Sequence, residues 1–527
     1  MKKKLLAALL TLALVASLFA GCGGGPGEEG ESENKGTENV GGTEDDSEEI
    51  VDIADVTLSF WSLGTVPTEE AVQEVEDAIN AILEPEIGVR LNLNIMDVGS
   101  YIPNGAMANG VANGEDFDVV CTAAALSGHF SNMYANGMLV ELNDLLDEYG
   151  QEMVEMLPDD WFSATTIGGK IYGVPTYANK AKSMYWMVRN EVVEAAGLDL
   201  SAIKTFEDVE AALYTIKEKC PEYNAIGGAS QTLDYGYPGW TGFEEAGLFD
   251  PLGDSTGVLA AVFMDDDTLT AVNRYEDPRT IAMFNTLQKW NKDGLVDPEA
   301  ATNLSNATPF DNPKNASGIY VGQEDVAMTR GVAFNCSYVK LVGGVISTGN
   351  MQQFTWAIPT SCDDPEAAMK FINYAYTSEE VTNLLNYGIE GKHYVWDEEA
   401  GTIGFPEGVT AETSEYYLGG AKALLGNGFL AYPWTGAPAN VAELGLKDME
   451  SATYSPLLGF TLDAAALGDN YGILGGMVKT EYSGQLGTGA FDQEDYDEFL
   501  QKLKDGGVDE ILEKINEQID AWLEANK

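Results

Sequence analysis

The order of hydrophobic and polar positions predicts alternating strands and helices at the start of the folded part of the chain. Residues Val56–Trp61 alternate apolar and polar side chains and are rich in β-formers, which predicts a strand. Residues Glu69–Leu83 repeat apolar positions at helical spacing, and Val89–Ile95 alternates again. A Gly/Ala/Asn-rich helix or loop follows, and then the apolar strand Phe117–Thr122. Strand, helix, strand, helix, strand is typical of a parallel sheet built from βαβ units.

Later segments repeat both patterns. Further strands are predicted at 170–175, 185–190 and 332–338. Helices are predicted at 139–149, 151–157, 191–196, 206–219, 279–292, 365–386, 494–504 and 508–526. Trp290 and Trp522 lie on apolar helix faces, so we expect both of them in a core. The pattern as a whole predicts a mixed α/β fold with a helical C-terminal region.

The N-terminal segment predicts export. Three lysines at positions 2–4 precede the apolar run Leu5–Ala20, which is shorter than the ~20 residues of a membrane span. The ending Leu18–Cys22 resembles a bacterial lipobox, whose cysteine becomes diacylated after cleavage. Residues 1–21 are therefore predicted to be a lipoprotein signal peptide, with Cys22 as the lipidated residue. The alternative is an ordinary signal peptide followed by an incidental cysteine.

Residues 22–51 predict a disordered acidic tether after the lipidated cysteine. This stretch consists of Gly, Glu, Asp, Ser, Asn and Thr with almost no apolar side chain. Such a composition cannot bury enough surface to offset the entropy of ordering, and its like charges repel one another. The membrane is therefore predicted to be reached through the lipid anchor only, and the folded body is predicted to begin at residue 52.

Composition excludes several classes of function. The chain of 527 residues has 28 basic and 85 acidic residues, a formal net charge of −57. So negative a surface repels nucleic acid and anionic lipid headgroups, so we expect no nucleic-acid partner. His129 and His393 are the only histidines, which excludes zinc sites built from several histidines. We expect a soluble and monomeric body.

Motifs of common catalytic sites are missing. The chain has no GxxxxGK[ST], GxSxG or HExxH segment, so we predict no enzyme activity, no cofactor and no metal site. Acidic clusters such as Asp265–Asp267 lack the glycine and glutamate of a calcium loop and favour solvated turns. Beyond Cys22, four cysteines remain, and free buried thiols are favoured over disulfides without excluding them: Cys121, Cys220, Cys336 and Cys362.

Several segments resemble the extracellular solute-binding proteins that supply ABC importers. They occur in the family's order: Ala135–Leu146, Gly169–Pro175, Val188–Leu198, Lys204–Val209, Trp290–Pro298 and Asp364–Asn373. A narrower branch is suggested by Leu385–Tyr394, Gly426–Leu430 and Ser455–Phe460. These segments resemble the Gram-positive lipoproteins of family 1, which carry an extra C-terminal domain. Each motif is weak alone, but their joint order covers nearly the whole body.

The resemblance implies a type II periplasmic-binding-protein-like fold. Two α/β lobes would enclose a ligand cleft and be joined by chain crossings near Pro175–Lys182, between about Tyr338 and Trp356, and after His393. Lobe 1 would comprise residues 52–177 plus 354–395. Lobe 2 would comprise 180–340 plus 396–527, including the C-terminal helical region. Ligand pockets favour such domain interfaces and the carboxyl ends of sheet strands.

Aromatic and polar residues near these crossings are the candidate ligand contacts. Sugars offer C–H faces to aromatic rings and hydroxyls to polar side chains, and family 1 members mostly carry sugars. The candidates are Trp61, Tyr177, Asn179, Tyr237, Trp240, Tyr338, Glu390, His393, Tyr394 and Trp434. For each of them a packing role is the alternative. No nucleophile or orienting partner is visible near His393, so a structural or ligand role is favoured over catalysis.

The predicted function is therefore that of a substrate-binding lipoprotein at the extracytoplasmic face of the cell membrane. It would capture an oligosaccharide and deliver it to ABC permease subunits. A peptide or other polar solute is the alternative cargo. A secreted glycoside hydrolase is less favoured, because no carboxylate pair stands out among the acidic residues. A surface adhesin remains a further alternative, and it would not need a closing cleft.

Overall fold

Strands and helices alternate along most of the described chain. The computed structural model describes residues 53–526 except 102–104, 116, 123–128, 228–248, 251, 253–258, 265–266, 303–309 and 311. All of these residues belong to one unit, Val51–Lys527. None of the described helices combines the length and the apolar character needed to cross a membrane.

The strands and helices have the following bounds. The strands are β1 (Ala54–Ser62), β2 (Val89–Asp97), β3 (Val119–Thr122), β4 (Thr166–Ile167), β5 (Lys170–Ile171), β6 (Val174–Pro175), β7 (Lys182–Arg189), β8 (Phe249–Asp250), β9 (Ala260–Phe263), β10 (Val272–Asn273), β11 (Ser317–Gly322), β12 (Cys336–Ile346), β13 (Thr355–Ala357), β14 (Val395–Asp397), β15 (Thr402–Gly404) and β16 (Thr453–Tyr454). The helices are α1 (Glu69–Ile87), α2 (Val98–Tyr101), α3 (Ala106–Asn113), α4 (Phe130–Ala135), α5 (Asn143–Tyr149), α6 (Gln151–Met156), α7 (Asn190–Ala196), α8 (Phe206–Lys219), α9 (Pro278–Lys292), α10 (Glu324–Ala333), α11 (Thr348–Gln352), α12 (Pro365–Thr377), α13 (Glu379–Tyr387), α14 (Val441–Glu450), α15 (Ala464–Leu467), α16 (Asp469–Met477), α17 (Ser483–Thr488), α18 (Gln493–Asp505) and α19 (Val508–Ala525).

The first sheet has the strand order β2-β1-β3-β13-β6. Strand β1 pairs in parallel with β2 and β3, which confirms the predicted βαβ arrangement. Helix α1 connects β1 to β2: Thr68 caps its start by accepting a hydrogen bond from the Ala71 amide, and Gly88 ends it in the left-handed region at φ 67°. Strand β13 returns antiparallel to β3 and β6.

The second large sheet has the order β11-β7-β12-β16. Both neighbours of β7, namely β11 and β12, run antiparallel to it. Residues along β7 alternate between two cores. Trp186 and Val188 lie in the larger one, whereas Tyr185 and Met187 pack in a smaller cluster on the opposite face. Both faces of this strand are therefore buried, which explains its continuous apolar run.

Two large hydrophobic cores correspond to the two lobes. Residues of the first come from 56–181, 346–385 and 416–425, with Met449. Residues of the second come from 184–321 and 457–519. Trp290 is fully buried in the second core and Trp522 packs against it, as predicted. The described cysteines are unpaired; Cys121, Cys220 and Cys336 are buried.

Within the described residues, the chain passes from one core to the other three times. The passages lie at 181–184, 342–346 and 452–457, between residues that belong to different cores. They are neighbours in the second sheet: Lys182 of β7 pairs with Val345 of β12. Val345 pairs in turn with Thr453 of β16. Three adjacent strands therefore join the lobes, and we call this connection the hinge.

The third passage departs from the predicted lobe limits. It was predicted soon after His393, with 396–527 in lobe 2. Tyr416, Leu424 and Leu425 instead pack in the first core, and the chain passes to the second core only after Met449. The hydroxyl of Tyr416 anchors this segment by donating to the Leu385 carbonyl at 2.8 Å. Apolar spacing alone does not tell which of two cores a segment joins.

Several predicted elements differ in the structure. The strand predicted at 170–175 is two short strands, β5 and β6, which belong to different sheets. The strand predicted at 332–338 is the end of helix α10 followed by β12, because Asn335 breaks the run at φ 50°. Val332 is 61% exposed on that helix, so its apolar side chain lies on the surface and does not pack in a sheet. The single helix predicted at 365–386 is two helices, α12 and α13. Ser378 separates them and caps the second by accepting from the Val381 amide.

Candidate ligand site between the two cores

The candidate site begins where strands of the first sheet end. Strands β1 and β3 finish at the same edge, and the antiparallel β13 starts there; we call this the carboxyl edge. The segment 417–425 lies across it. The Leu63 amide donates to the Leu418 carbonyl at 3.1 Å, and Trp356 Nε1 donates to the Leu424 carbonyl at 2.7 Å. Ligands of α/β proteins bind at such edges.

Trp61 lies at this edge, at the end of β1, but its ring is not an open platform. It is 1% exposed and packs against Tyr101 and Phe354, with ring centroids 4.8 and 5.9 Å away. Its indole Nε1 is buried and has no hydrogen-bond partner among the described residues. What Trp61 offers a ligand in this arrangement is therefore a donor rather than a stacking face.

Two threonine hydroxyls at the carboxyl edge are also buried without a hydrogen-bond partner among the described residues. Thr122 of β3 and Thr355 of β13 are directly opposite in the sheet register. Both are fully buried, and neither hydroxyl has a hydrogen-bond partner within the described ranges. A buried polar group left unpaired costs about 1–3 kcal/mol. A bound molecule with hydroxyl groups could supply the missing partners.

The second lobe presents the start of helix α10 to the segment 417–425. Gly322, at the end of β11, pairs with Ser183 beside the first passage between the lobes. The helix begins two residues later. Asp325 in its first turn forms an ion pair with Lys422, with Oδ2 and Nζ 3.0 Å apart. The two lobes thus touch at this point through opposite charges.

A second polar contact joins the lobes at helix α14. The carboxylate of Asp448 is 2% exposed and accepts from Lys340 Nζ at 2.6 Å and from Asn179 Nδ2 at 3.0 Å. Lys340 also pairs with Glu324 at 3.1 Å. Burial disfavours the charge on Lys340, but the two carboxylates outweigh it and raise the pKa of the ammonium group. This contact is saturated: both oxygens of Asp448 have donors.

Two predicted contacts lie just before the first passage, and one of them is engaged structurally. Asn179 is buried; it donates to Asp448 and accepts from the Ala181 amide at 3.0 Å. Tyr177 is half-buried, with its ring edge-on to those of Trp161 and Phe429 at 5.0 and 4.9 Å. Both remain predictions as ligand contacts.

Tyr338 lies on the face of the second sheet that packs against helix α10, and as a ligand contact it remains a prediction. It packs edge-on against Tyr185 at 5.6 Å, on the sheet face whose other cluster members include Ala327 of helix α10. Burial raises its pKa to about 12, and the nearby Glu324 adds to the shift. A helix therefore shares this face with Tyr338.

The predicted residues after α13 form a different neighbourhood. Rings of the chain segment 387–434 pack together in a cluster that we call the aromatic group: Tyr387, Tyr394, Trp396, Phe405, Tyr417, Tyr432 and Trp434. Tyr394 and Trp434 belong to it. Their ring centroids lie 6.1 and 5.7 Å from that of Tyr387. Glu390 is exposed nearby.

His393 lies outside the aromatic group, and its Nε2 is buried without a hydrogen-bond partner among the described residues, so its role as a ligand contact stays a prediction. It is 3% exposed and packs 5.6 Å from the Tyr416 ring. Its Nδ1 accepts from the Ile389 amide at 2.9 Å, which places the proton of the neutral ring on Nε2. Burial lowers the pKa of His393, and Lys392 lowers it further, against smaller opposing effects of Glu74 and Glu415.

Sequence reasoning missed four of the polar residues at the lobe contact. Thr122 was recoverable, because it ends a predicted strand at the edge where ligands bind. Thr355, Asp325 and Lys422 carry no comparable signal, since only the folded chain brings them to this edge. Tyr237, Trp240 and Cys22, the predicted lipidation site, lie outside the described residues. Across the described ranges, no three His, Cys, Asp or Glu side chains group as metal ligands do.

The sequence profile of bacterial extracellular solute-binding proteins matches residues 88–382. The chain belongs to this family. A domain of unknown function (DUF3502) matches residues 456–524, which contain the C-terminal helices. Membership of an extracellular family implies an extracytoplasmic location.

A sequence relative and two solved structures are similar to this chain. The chain is 24% identical over 483 residues to a carbohydrate ABC transporter substrate-binding protein of Streptococcus pneumoniae, covering 89% of this chain and 91% of that one. The structure of this chain is similar to that of the N-glycan transport solute binding protein NgtS of S. pneumoniae, with TM-score 0.75 and 22% identity. The match covers 90% of this chain and 100% of NgtS. An HMO-binding solute-binding protein of Bifidobacterium longum infantis matches with TM-score 0.56, 14% identity and coverage of 89% and 99%. These solute-binding proteins share the two-lobe α/β fold.

Proposed function

We propose that this solute-binding protein captures a carbohydrate, an oligosaccharide in particular, between its lobes and delivers it to an ABC permease. The observation that carries the proposal is the carboxyl edge. It faces the second lobe beside a three-strand hinge and holds the unpartnered polar atoms of Trp61, Thr122 and Thr355. Hydroxyl-rich solutes can both donate to and accept from such groups. NgtS, whose fold this chain shares, has been crystallised with Man1GlcNAc and with Man5GlcNAc.

The route to the membrane is part of the proposal. Lipidation of Cys22 after removal of residues 1–21 would hold the protein at the extracytoplasmic face, and residues 22–51 would act as the tether. The body would act as a monomer, because capture by two lobes on one hinge needs no second copy. The predicted ligand contacts Tyr177, Asn179, Tyr237, Trp240 and the others stand as part of this proposal.

Two other functions would leave different traces. A peptide or other polar solute would retain the importer role but fail to bind sugars. A glycoside hydrolase would release reducing sugar from polysaccharides. We expect no such release, because the carboxylates at the lobe contact form ion pairs with lysines and do not face each other across a cleft. The described site offers donors and acceptors for binding and no nucleophile with a base.

Isothermal titration calorimetry tests the proposal. The mature protein is titrated with Man1GlcNAc, Man5GlcNAc, other oligosaccharides and a set of peptides. We expect saturable binding of at least one oligosaccharide and of no peptide. Trp61→Phe keeps an aromatic ring, although a smaller one, and removes the unpartnered donor, so it should weaken that binding. Thr286→Val, on the exposed face of α9, is the matched control and should not. Binding of peptides alone would overturn the carbohydrate assignment.

A further inference from the structure

The ion pair between Asp325 and Lys422 differs from the contact that Asp448 makes between the lobes. Asp325 uses one carboxylate oxygen, Oδ2, to bind Lys422 at 3.0 Å. Its other oxygen, Oδ1, is buried and has no hydrogen-bond donor among the described residues. Asp448, in contrast, has a donor on each oxygen. One contact is complete within the protein, whereas the other is not.

Both partners of this pair are held in place by their own lobe. Asp325 lies in the first turn of α10, which follows β11 of the second sheet. Lys422 precedes Leu424, which is buried in the first core and accepts from Trp356 Nε1. Thr176, just before the first passage between lobes, donates its hydroxyl to the Ala423 carbonyl at 2.8 Å. The pair therefore lies on the carboxyl edge, beside the hinge.

The unpartnered oxygen limits what can bind there. An ionised carboxylate only accepts hydrogen bonds, and a buried one without a donor is costly. A hydroxyl group of a solute supplies a donor without adding charge. A carboxylate or phosphate group of a solute would instead meet a like charge, which is unfavourable at short range.

We propose that Asp325 is a specificity-determining contact: its Oδ1 accepts a hydrogen bond from a hydroxyl group of the bound solute, and Lys422 fixes the carboxylate for it. This inference rests on the proposed function and narrows it. The solute is an uncharged, hydroxyl-bearing one at the position that faces α10. Because the two residues belong to different lobes, the same contact favours the closed arrangement when solute is present.

Four variants separate a solute contact from a simple latch between lobes. Asp325→Asn removes the charge on the accepting group. Lys422→Met breaks the ion pair but keeps the carboxylate. The reversed pair Asp325→Lys/Lys422→Asp restores the attraction with the acceptor on the wrong lobe. Glu443→Gln, which removes the exposed pair of Glu443 with Lys447 in α14, is the matched control.

The measurement is the affinity of each variant for Man1GlcNAc and Man5GlcNAc by calorimetry, with Tm as the check on folding. Since a charge-assisted hydrogen bond is about twice as strong as a neutral one, we expect Asp325→Asn to lose about tenfold in affinity. Lys422→Met should lose less. The reversed pair should recover the Tm but not the affinity, and Glu443→Gln should match the wild type.

Other outcomes overturn the inference in distinct ways. Equal losses for Asp325→Asn and Lys422→Met, with affinity recovered by the reversed pair, would mean a latch without solute contact. Wild-type affinity in Asp325→Asn would leave the proposed function intact and remove Asp325 from the site. If the wild type binds neither glycan nor any other oligosaccharide, the proposed function itself fails, and the inference fails with it.

Discussion

The carboxyl edge and the aromatic group make opposite use of the residues that recognise sugars. At the edge, polar atoms of Trp61, Thr122 and Thr355 are buried without partners among the described residues. In the aromatic group the rings pack on one another, and the Tyr387 hydroxyl donates to the Tyr432 carbonyl at 2.8 Å. Ring packing of this kind stabilises the fold, whereas buried polar atoms without partners leave hydrogen bonds that a solute can complete. Such atoms also occur in the second core, at Trp186 and Arg274, so the proposed function rests on their grouping at the carboxyl edge.

The largest expected effect is on stability and falls in the aromatic group. Tyr387→Ala removes a ring that is 7% exposed and that contacts Tyr394 and Trp434. Replacing a buried aromatic residue by alanine costs about 3–5 kcal/mol. Urea unfolding should show a loss of this size, while the oligosaccharide affinity of the folded fraction stays within about twofold. A large loss of affinity with little loss of stability would assign the aromatic group to the site.

The next effect concerns buried lysines beside the carboxyl edge. Burial lowers the pKa of Lys180 and of Lys182 to about 7 from 10.5. Among the described residues, the Lys180 ammonium group donates to Thr176 Oγ1 at 3.1 Å and to the Phe354 carbonyl at 3.5 Å, and it has no carboxylate within hydrogen-bond range. A depressed pKa favours the neutral folded form, so stability is full above the unfolded pKa and is lost as pH falls towards about 7.

Urea unfolding between pH 7.5 and 9.5 measures this dependence. The free energy of unfolding should rise with pH in the wild type, because deprotonation costs less in the folded state. It should rise less in Lys180→Met and least in Lys180→Met/Lys182→Met. Identical slopes for all three proteins would show that these lysines do not titrate in that range.

At the carboxyl edge we expect smaller effects, which have opposite signs on stability and on binding. Thr122→Val and Thr355→Val remove hydroxyls that are buried and unpartnered in the described structure. Each should leave stability unchanged or raise it by about 1 kcal/mol, because the desolvation cost disappears. The same variants should weaken oligosaccharide binding. Thermal unfolding and calorimetry on the same samples check both signs, and a stability loss above about 1 kcal/mol would show that these hydroxyls form stabilising hydrogen bonds within the protein.

Much of the fold was predictable because it depends on local patterns. The βαβ order of 56–122 and the bounds of α8 follow from apolar spacing, and Thr205 caps α8 as such a pattern favours. Two kinds of feature were not predictable. The strand at 332–338 failed because an exposed apolar turn of helix imitates a buried strand. The lobe limits implied by the family resemblance placed 396–449 in lobe 2, whereas Tyr416, Leu424 and Leu425 pack in the first core.

The site was predicted less well than the fold for a related reason. The sequence identifies rings that can contact sugar, but it does not show which of them already contact one another. Trp61 was placed correctly at the end of β1, yet Tyr101 and Phe354 cover its ring. Asp325 and Lys422 are 97 positions apart in the numbering and meet only through the closure of two lobes.

The smallest effect is expected at His393, beside the aromatic group. Its pKa lies below 6.5 because burial disfavours the charged ring. Stability should therefore fall as pH drops below the unfolded value of about 6.5 and become level once the folded ring is protonated. His393→Asn keeps an acceptor for the Ile389 amide and should remove that part of the pH dependence. An unchanged pH profile in the variant would mean that other groups cause it.

Hydrogen exchange with and without Man5GlcNAc tests the central claim most directly, because it reports on both regions in one experiment. The account predicts that the solute slows exchange in peptides covering 417–425 and 322–328, on the two sides of the carboxyl edge. It predicts no change in peptides covering the hairpin 395–404 in the neighbourhood of the aromatic group. Protection confined to that hairpin, with none at 417–425, would contradict the assignment of the carboxyl edge as the solute site.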